Sequence, residues 1–349
     1  MNEKYHDIII VGGGQSGLAI AYYLRRLKLN YLLLDAEENA GGSWQHYWHS
    51  IRLFSPAQWS SLPGRILQGG TSHYPTREEV VKYLNDYESH YDLKIERPVE
   101  VKEVTKEKGL FVLQTNKGRY SSKVVISATG SFKRPVIPEI PGLADFSGEV
   151  IHSADYRNPD KFKGQRVGII GEGNSGAQIL AEVSKITSTY WITKDEPDYL
   201  PDHVDGKYLF DAATQLYEAK KKGKKFIPPS LGHIVMVPSV MEARERGVLK
   251  SHADLKSFQS DGALFGDGTK IQLDSLIFCT GYLPVIDYLK DLNISFRHHK
   301  VDTHGTRSRE MEGLWMVGYG SWTGFASATL VGVGRSTKVT AHEVQEYLS

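Results

Sequence analysis

The chain has 349 residues, with 42 Lys+Arg against 41 Asp+Glu and a formal net charge of +1; at about 150 residues per domain this suggests two domains, and the balanced charge argues against a dedicated nucleic-acid binder. Hydrophobic residues at 40% and charged residues at 24% exclude wholesale disorder. Cys279 is the one cysteine, which excludes internal disulfides, a CxxC redox pair and a thiolate-rich zinc site. The N-terminus is polar and lacks the pattern of a signal peptide, so the cytoplasm is the expected compartment.

Residues 7–11 (DIIIV) form a β-branched run too short for a helix, suited to a strand buried on both faces. Gly12-Gly13-Gly14-Gln15-Ser16-Gly17 follows, then a helix over about 16–27 and a second strand over 31–34 that ends on Asp35. This is the βαβ dinucleotide fingerprint, with glycines at 12, 14 and 17 and an acid after the second strand. The pattern recurs. Residues 166–170 (RVGII) precede Gly171-Glu172-Gly173-Asn174-Ser175-Gly176, a helix-like stretch follows, and a strand over 189–193 ends on Lys194. The spacing from Gly17 to Asp35 equals that from Gly176 to Lys194. One such motif is weak evidence; two with matched spacing are strong. Residues 124–130 (VVISATG) and 276–282 (LIFCTGY) echo one another as apolar strands ending in Thr-Gly, and read as the crossovers between two halves. Pro135, Pro138 and Pro141 mark a linker. Residues 314–334 carry no charge and are long enough to span a bilayer, but Gly318, Gly320, Gly324, Gly332 and Gly334 interrupt them. A buried strand, turn and helix is expected there, with no membrane span.

In each glycine turn the first glycine permits the tight turn. The second lets backbone approach a pyrophosphate, and the third lets helix and strand pack closely. The helix N-terminus offers free N–H groups and partial positive charge to phosphates. Asp35 can accept hydrogen bonds from ribose hydroxyls, which suits FAD or NAD. Lys194 cannot accept, but its ammonium can pair with a 2′-phosphate, so the second unit leans to NADPH. A lysine is only a point charge, less selective than a forked arginine.

Gly41-Gly42-Ser43-Trp44 follows the first unit, and residues 146–156 (FSGEVIHSADY) fit the pattern FxGxxxHxxxY. These elements resemble those of flavin-containing and Baeyer–Villiger monooxygenases. Nearly the whole chain resembles the small bacterial flavin-containing monooxygenases, the branch of CzcO-like and arsenic-operon flavoproteins. The resemblance includes residues 52–56 (RLFSP), 74–77 (YPTR), 234–238 (IVMVP) and 326–334 (ASATLVGVG). It implies an α/β fold of two Rossmann-like domains, an NADPH domain (156–282) inserted into an FAD domain (1–155 and 283–349). It implies that Gly12, Gly14, Gln15, Ser16, Gly17 and Asp35 hold the FAD pyrophosphate and ribose, and that Gly42, Ser43 and Trp44 hold the middle of the cofactor. Val101 would meet the adenine through its backbone, with Thr129 and Gly130 close to the adenine half. Gly318 would return the chain to the flavin, with Trp322 and Thr323 near the ring. Gly171, Gly173, Asn174, Ser175 and Gly176 would take the NADPH phosphates, and Thr193 and Lys194 would face the 2′-phosphate.

The activity so implied is oxygenation of a soft nucleophile such as a sulfide or amine, or of a ketone, with O₂ and NADPH, through a C4a-(hydro)peroxyflavin. The sequence departs from the larger monooxygenases in two places. Phe54 stands where they carry an asparagine near the flavin, which makes Phe54, with Trp322, a candidate for the reaction site. Thr193-Lys194 replaces the arginine of strict NADPH enzymes, so mixed use of NADPH and NADH is expected. An NAD(P)H oxidase or electron-transfer reductase on the same scaffold is the alternative reading, and a redox-sensing dinucleotide binder a third. Disulfide reduction is excluded by the lone cysteine. A monomer and a homodimer both stay open.

The remaining features have plain readings. His152 lies within the fingerprint and is expected to be structural. His298, His299 and His304 lack the accompanying cysteines and acids of a metal site. Lys220, Lys221, Lys222, Lys224 and Lys225 read as a solvated helix end, and Cys279 as core. No metal and no Ser-His-Asp signature is expected.

Overall fold

The structure, a computed structural model, describes residues 4–202, 204, 206–227 and 233–349. The chain divides into two compact units, one comprising Met1–Gln45, Ser55–Arg134 and Leu283–Ser349, the other His46–Phe54 and Pro135–Tyr282.

The first unit is built on β1 (Lys4–Val11), α1 (Gln15–Arg26), β2 (Tyr31–Leu34), α2 (Arg77–Tyr91), β3 (Ile95–Glu96), β4 (Val101–Glu107), β5 (Leu110–Thr115) and β6 (Gly118–Ser127). Its sheet places β6, β1, β2 and β3 side by side and parallel, with the strand Leu314–Met316 parallel to β6 on the other flank. Ile8, Ile9 and Ile10 are fully buried, as expected of a parallel strand covered on both faces. The motif at 74–77 has a local physical reason. Thr76 caps α2 and forms a capping box with Glu79, its hydroxyl accepting the Glu79 N–H at 3.3 Å and the Glu79 carboxylate accepting the Thr76 N–H at 2.8 Å.

The second unit contains β7 (Glu149–His152), β8 (Arg166–Ile170), α3 (Asn174–Val183), β9 (Ser188–Ile192) and β10 (Ser251–His252). They join the strand Ser275–Phe278 in one parallel sheet of order β10, β9, β8, Ser275–Phe278, β7. The internal repeat is therefore one of topology: Ser275–Phe278 lies beside β8 as β6 lies beside β1. Val11 pairs with Ser127 and Ile170 with Phe278 at the C-terminal ends, so each glycine turn leaves the sheet next to a Thr-Gly.

The sequence reading expects the division at 155/156; by packing, the compact units divide at 134/135. β7 pairs with Ser275–Phe278 over all four of its residues, Glu149 to His152, so residues 135–155 belong to the second unit. Residues 46–54 join it as well: the His49 N–H donates to the Arg157 carbonyl, and the Trp48 and Tyr156 rings meet edge to face.

The uncharged stretch 314–334 is a strand (Leu314–Met316), a 3₁₀ turn (Gly320–Trp322) and the start of the helix Val333–Leu348. Among the described residues no helix is long and apolar enough to cross a membrane. His298 and His299 both adopt positive φ, forming the tight turn between Phe296–Arg297 and Lys300–Val301. Among the described residues no group of His, Cys, Asp and Glu could hold a metal ion. Lys222, Lys224 and Lys225 are exposed at the end of the helix Gly206–Lys221; the side chains of Lys220 and Lys221 lie outside the described residues.

Candidate functional site

The first glycine turn runs from β1 into α1. Gly12 has φ +108°, and a Cβ there would stand 2.7 Å from the Ala128 carbonyl oxygen, so this position admits only glycine. A Cβ on Gly17 would fall inside the Gly12 carbonyl oxygen, which fixes Gly17 as the packing glycine. Gly14 differs: the nearest atom to a Cβ there is the Gly42 Cα at 4.0 Å, whereas a Cβ on Gly42 would stand 2.6 Å from the Gly14 Cα. The two glycine backbones lie in van der Waals contact at the N-terminus of α1, a close approach that a side chain on Gly42 would prevent, and they form a cradle walled by main chain. This fits a pyrophosphate held by backbone.

Side chains lock the cradle. The Trp44 indole donates to Gln15 Oε1 at 3.0 Å, and Gln15 Nε2 donates to the Ala328 carbonyl. Half-buried Ser43 sits beside Trp44 in the 3₁₀ turn Gly42–His46. Ser16 is buried, and Gly318 (φ +85°) makes room for its hydroxyl, which stands where a Cβ on Gly318 would be. Asp35 is 3% exposed at the end of β2. It is not a free acceptor: Arg97 bridges its Oδ2 at 2.9 Å and holds Glu88 in a fork at 2.7 Å, while Oδ1 accepts the Glu37 N–H at 3.3 Å. Lone pairs remain on both oxygens. Arg97 is the residue that sequence reasoning missed here, since nothing local links it to a carboxylate so far back in the chain.

Val101 opens β4 opposite Thr115. Thr129 and Gly130 follow β6. The Thr129 hydroxyl donates to the Val285 carbonyl at 2.6 Å and meets the half-buried Tyr319 at its hydroxyl at 2.7 Å, and the Gly130 carbonyl accepts the Val285 N–H at 2.9 Å. Tyr319 also meets Ser127, which accepts from Tyr288. Burial raises both phenols above their ordinary range, so both are neutral donors. Thr323 is buried, accepting the Tyr319 N–H at 2.9 Å and meeting Ser327 at 2.8 Å. Trp322 packs against the core, its indole donating to the Val301 carbonyl and to Thr303, each at 3.1 Å. Its polar edge is thus taken up by the fold.

The second glycine turn repeats the first. Gly171 has φ +120°, and a Cβ there would meet the Cys279 carbonyl oxygen at 2.6 Å; one on Gly176 would strike the Gly171 carbonyl oxygen at 2.3 Å; Gly173 has nothing within 4 Å. The Asn174 side chain is engaged within the protein: its Oδ1 accepts the Val235 N–H at 2.8 Å and its Nδ2 donates to the His233 carbonyl at 3.2 Å. Ser175 is half-buried in the first turn of α3. Above this turn lies a cavity of about 800 Å³ lined by Gly171, Glu172, Gly173, Thr193, Lys194 and Cys279 among others. Thr193 is buried, and among the described residues its hydroxyl oxygen has no partner, a donor and acceptor left for whatever fills the cavity. Lys194 is exposed, and its backbone N–H donates to the Glu172 carboxylate at 3.2 Å. The volume, the open Gly173 and the orphaned hydroxyl fit the adenosine end of a dinucleotide.

Comparison with known proteins agrees with this geometry. Residues 9–219 match the family described as pyridine nucleotide-disulphide oxidoreductase. A flavin-containing monooxygenase from Stenotrophomonas maltophilia superposes with a TM-score of 0.90 at 42% identity, over 99% of this chain and 100% of that one. A CzcO-like oxidoreductase of Geobacillus kaustophilus is 30% identical over 97% of this chain and 98% of its own length. Senecionine N-oxygenase of Tyria jacobaeae is 27% identical over 82% of this chain and 60% of its own. The chain belongs to the pyridine nucleotide-disulphide oxidoreductase family, in the branch of the bacterial flavin-containing monooxygenases. It is a flavin-dependent NAD(P)H oxidoreductase.

Three further residues of this flavin monooxygenase are placed by the structure. Phe54 is half-buried between buried Leu53 and Ser55. His152 is buried, and its Nδ1 accepts the Ala154 N–H at 3.1 Å; the proton of the neutral ring therefore sits on Nε2. Burial pushes its pKa down. Cys279 was expected in the core. It lines the cavity instead, half-buried, with its thiol pushed up to about 12 by burial, so it is an inert wall and not a nucleophile.

Proposed function

We propose that the protein is an FAD-dependent monooxygenase that uses NADPH, and also NADH, to oxygenate soft nucleophiles such as sulfides or amines, or ketones, in the cytoplasm. The observation that carries the reading is the duplicated glycine turn, each copy with one glycine at a helix N-terminus (Gly14, Gly173) where a Cβ would meet nothing closer than 4.0 Å.

In this reading Gly12, Gly14, Ser16 and Gly17 seat the FAD pyrophosphate, with Gly42 and Ser43 closing the cradle. Gln15 and Trp44 act through each other, fixing its walls. Asp35, steadied by Arg97, accepts from the ribose. Val101, Thr129 and Gly130 border the adenine half, and Gly318 and Thr323 shape the return of the chain, which Trp322 anchors. In the second unit the backbone of Gly171, Gly173, Ser175 and Gly176 takes the nicotinamide dinucleotide's phosphates. Asn174 orients the turn by holding residues 233–235. Thr193 and Lys194 meet the ribose and a 2′-phosphate. The residues of the first unit would hold a flavin that would supply two-electron chemistry between the reduced nicotinamide and O₂, with one oxygen atom for the substrate and the other for water. The protein's part is positioning and exclusion of water; no side chain is required as an acid or base.

An N-oxygenase among the relatives supports amines within the substrate class. Disulfide reduction, the chemistry in the family's name, calls for a cysteine pair, and the 349 residues hold only Cys279. The test is NADPH oxidation with a panel of sulfides and amines, following oxygenated product and hydrogen peroxide together. Product formation supports the proposal, and stoichiometric peroxide with every substrate supports the oxidase alternative.

A further inference from the structure

In dinucleotide-binding folds an acid at the end of the second strand accepts from the adenosine ribose, and this distinguishes a free 2′-hydroxyl from a 2′-phosphate. The second unit has Lys194 at that place in sequence. In space it has an acid as well. Glu172, the residue between the first two glycines of the turn, extends its carboxylate to the end of β9 and accepts the Lys194 backbone N–H at 3.2 Å. The same cavity is lined by Glu139 and Asp254, both exposed. Its charged lining is thus three carboxylates and one ammonium. The neighbouring Thr193 hydroxyl, buried and without a partner among the described residues, marks this end of the cavity as built for a polar ligand group and not as a solvated surface.

We propose that Glu172 is a specificity-determining residue that biases the second unit toward NADH. The inference rests on the reading of that unit as a nicotinamide dinucleotide site. A carboxylate so placed accepts hydrogen bonds from the two ribose hydroxyls of NADH. The 2′-phosphate of NADPH replaces one of these donors with up to two negative charges and sets them against Glu172. Lys194 attracts the phosphate and Glu172 repels it, so the dual cofactor use of this chain is a balance of two opposed residues. A strict NADPH site has the attraction without the repulsion.

The test measures binding of NAD⁺ and NADP⁺ to the oxidised, flavin-loaded protein by calorimetry, alongside kcat/KM for NADH and NADPH. Glu172→Gln keeps an amide oxygen for the Lys194 N–H, so the turn is preserved, and its folding is checked by flavin content. The variant is expected to move the ratio of the two Kd values toward NADP⁺ by about tenfold, the scale of one screened like-charge contact. Glu172→Asp, which keeps the charge, should stay on the NAD⁺ side of Glu172→Gln. An unmoved ratio in Glu172→Gln, with both dinucleotides still binding, overturns the inference and leaves the dinucleotide site standing. If the wild-type protein binds neither dinucleotide, the reading of the second unit falls and the inference with it.

Discussion

The Trp44 indole N–H donates to Gln15 Oε1 at 3.0 Å, and the other end of the Gln15 amide donates to the Ala328 carbonyl. One side chain thus ties together the glycine turn, the GGxW element and the C-terminal segment. Trp44→Phe keeps most of the ring but deletes the donor. Losing one such bond costs about 0.5–1.5 kcal/mol, so FAD affinity is expected to fall about 2- to 13-fold. Equilibrium FAD binding to the apoprotein checks this; unchanged affinity would mean that the bond only decorates the cradle.

Gly12→Ala should be more severe. The residue is at φ +108° and its Cβ would lie 2.7 Å from the Ala128 carbonyl oxygen, so strain and clash add. A cost of roughly 1–3 kcal/mol in stability is expected from strain alone, with loss of bound FAD. Thermal unfolding and the flavin-to-protein absorbance ratio report the two separately. Full flavin occupancy in the variant would count heavily against the role assigned to the first unit.

These glycines were legible in the sequence because a tight turn is a local constraint: Gly12 and Gly171 need positive φ whatever else the chain does. The two βαβ units were legible for the same reason, since Ile8, Ile9 and Ile10 carry their buried environment in their own side chains. What was not legible is non-local. No pattern around Arg97 announces Asp35. Residues 135–155 look like an extension of the first half until β7 pairs with Ser275–Phe278. That Val301 and Thr303 accept the Trp322 indole N–H is likewise a contact between distant stretches of chain. Asn174 and Glu172 stand within the quoted motif, but the direction of a side chain is not written in a motif.

Acid stability tests a pair at the start of β8. Asp274 accepts from the Arg166 guanidinium at 2.7 Å and from the Arg166 backbone N–H at 2.7 Å. These hydrogen bonds hold its carboxyl at about 2, below its ordinary 3.8. A depressed carboxylate contributes stability that is fully present above pH 3.8 and is lost as pH falls through about 2. Asp274→Asn should therefore lower stability at neutral pH and flatten its dependence across that window. The pair is partly exposed, so the effect is discounted for screening. Denaturant midpoints at several pH values between 2 and 6 measure it, and parallel pH curves for the two proteins would refute the assignment.

Phe54 bears on how well electrons are coupled to product. The family resemblance implies that Phe54 stands where larger monooxygenases carry an asparagine near the flavin, and a phenyl ring donates no hydrogen bond. We expect Phe54→Asn to raise the fraction of NADPH that ends in oxygenated product. One recovered bond of about 0.5–1.5 kcal/mol would lower the peroxide-forming rate about 2- to 13-fold. Peroxide and product quantified per NADPH consumed decide it. A variant that keeps FAD and its rate of reduction but releases as much peroxide would show that position 54 does not control coupling.

Lys194 carries the prediction that separates the two nicotinamide cofactors most directly. Its side chain is exposed at the wall of the second unit's cavity. A charge-assisted contact with a 2′-phosphate is worth roughly 1.5–3 kcal/mol when well formed, and an exposed ammonium with three rotatable donors falls at or below the low end of that range. Lys194→Ala should therefore lower kcat/KM for NADPH by up to about tenfold and leave the value for NADH within about a factor of two. The direction is opposite to that expected for Glu172→Gln. Salt provides a second arm. Raising ionic strength screens the Lys194–phosphate contact, so the wild-type preference ratio should drift toward that of Lys194→Ala while the variant's own ratio moves less. A ratio that Lys194→Ala leaves unchanged at low salt would mean that the ammonium points to solvent and does not read the phosphate.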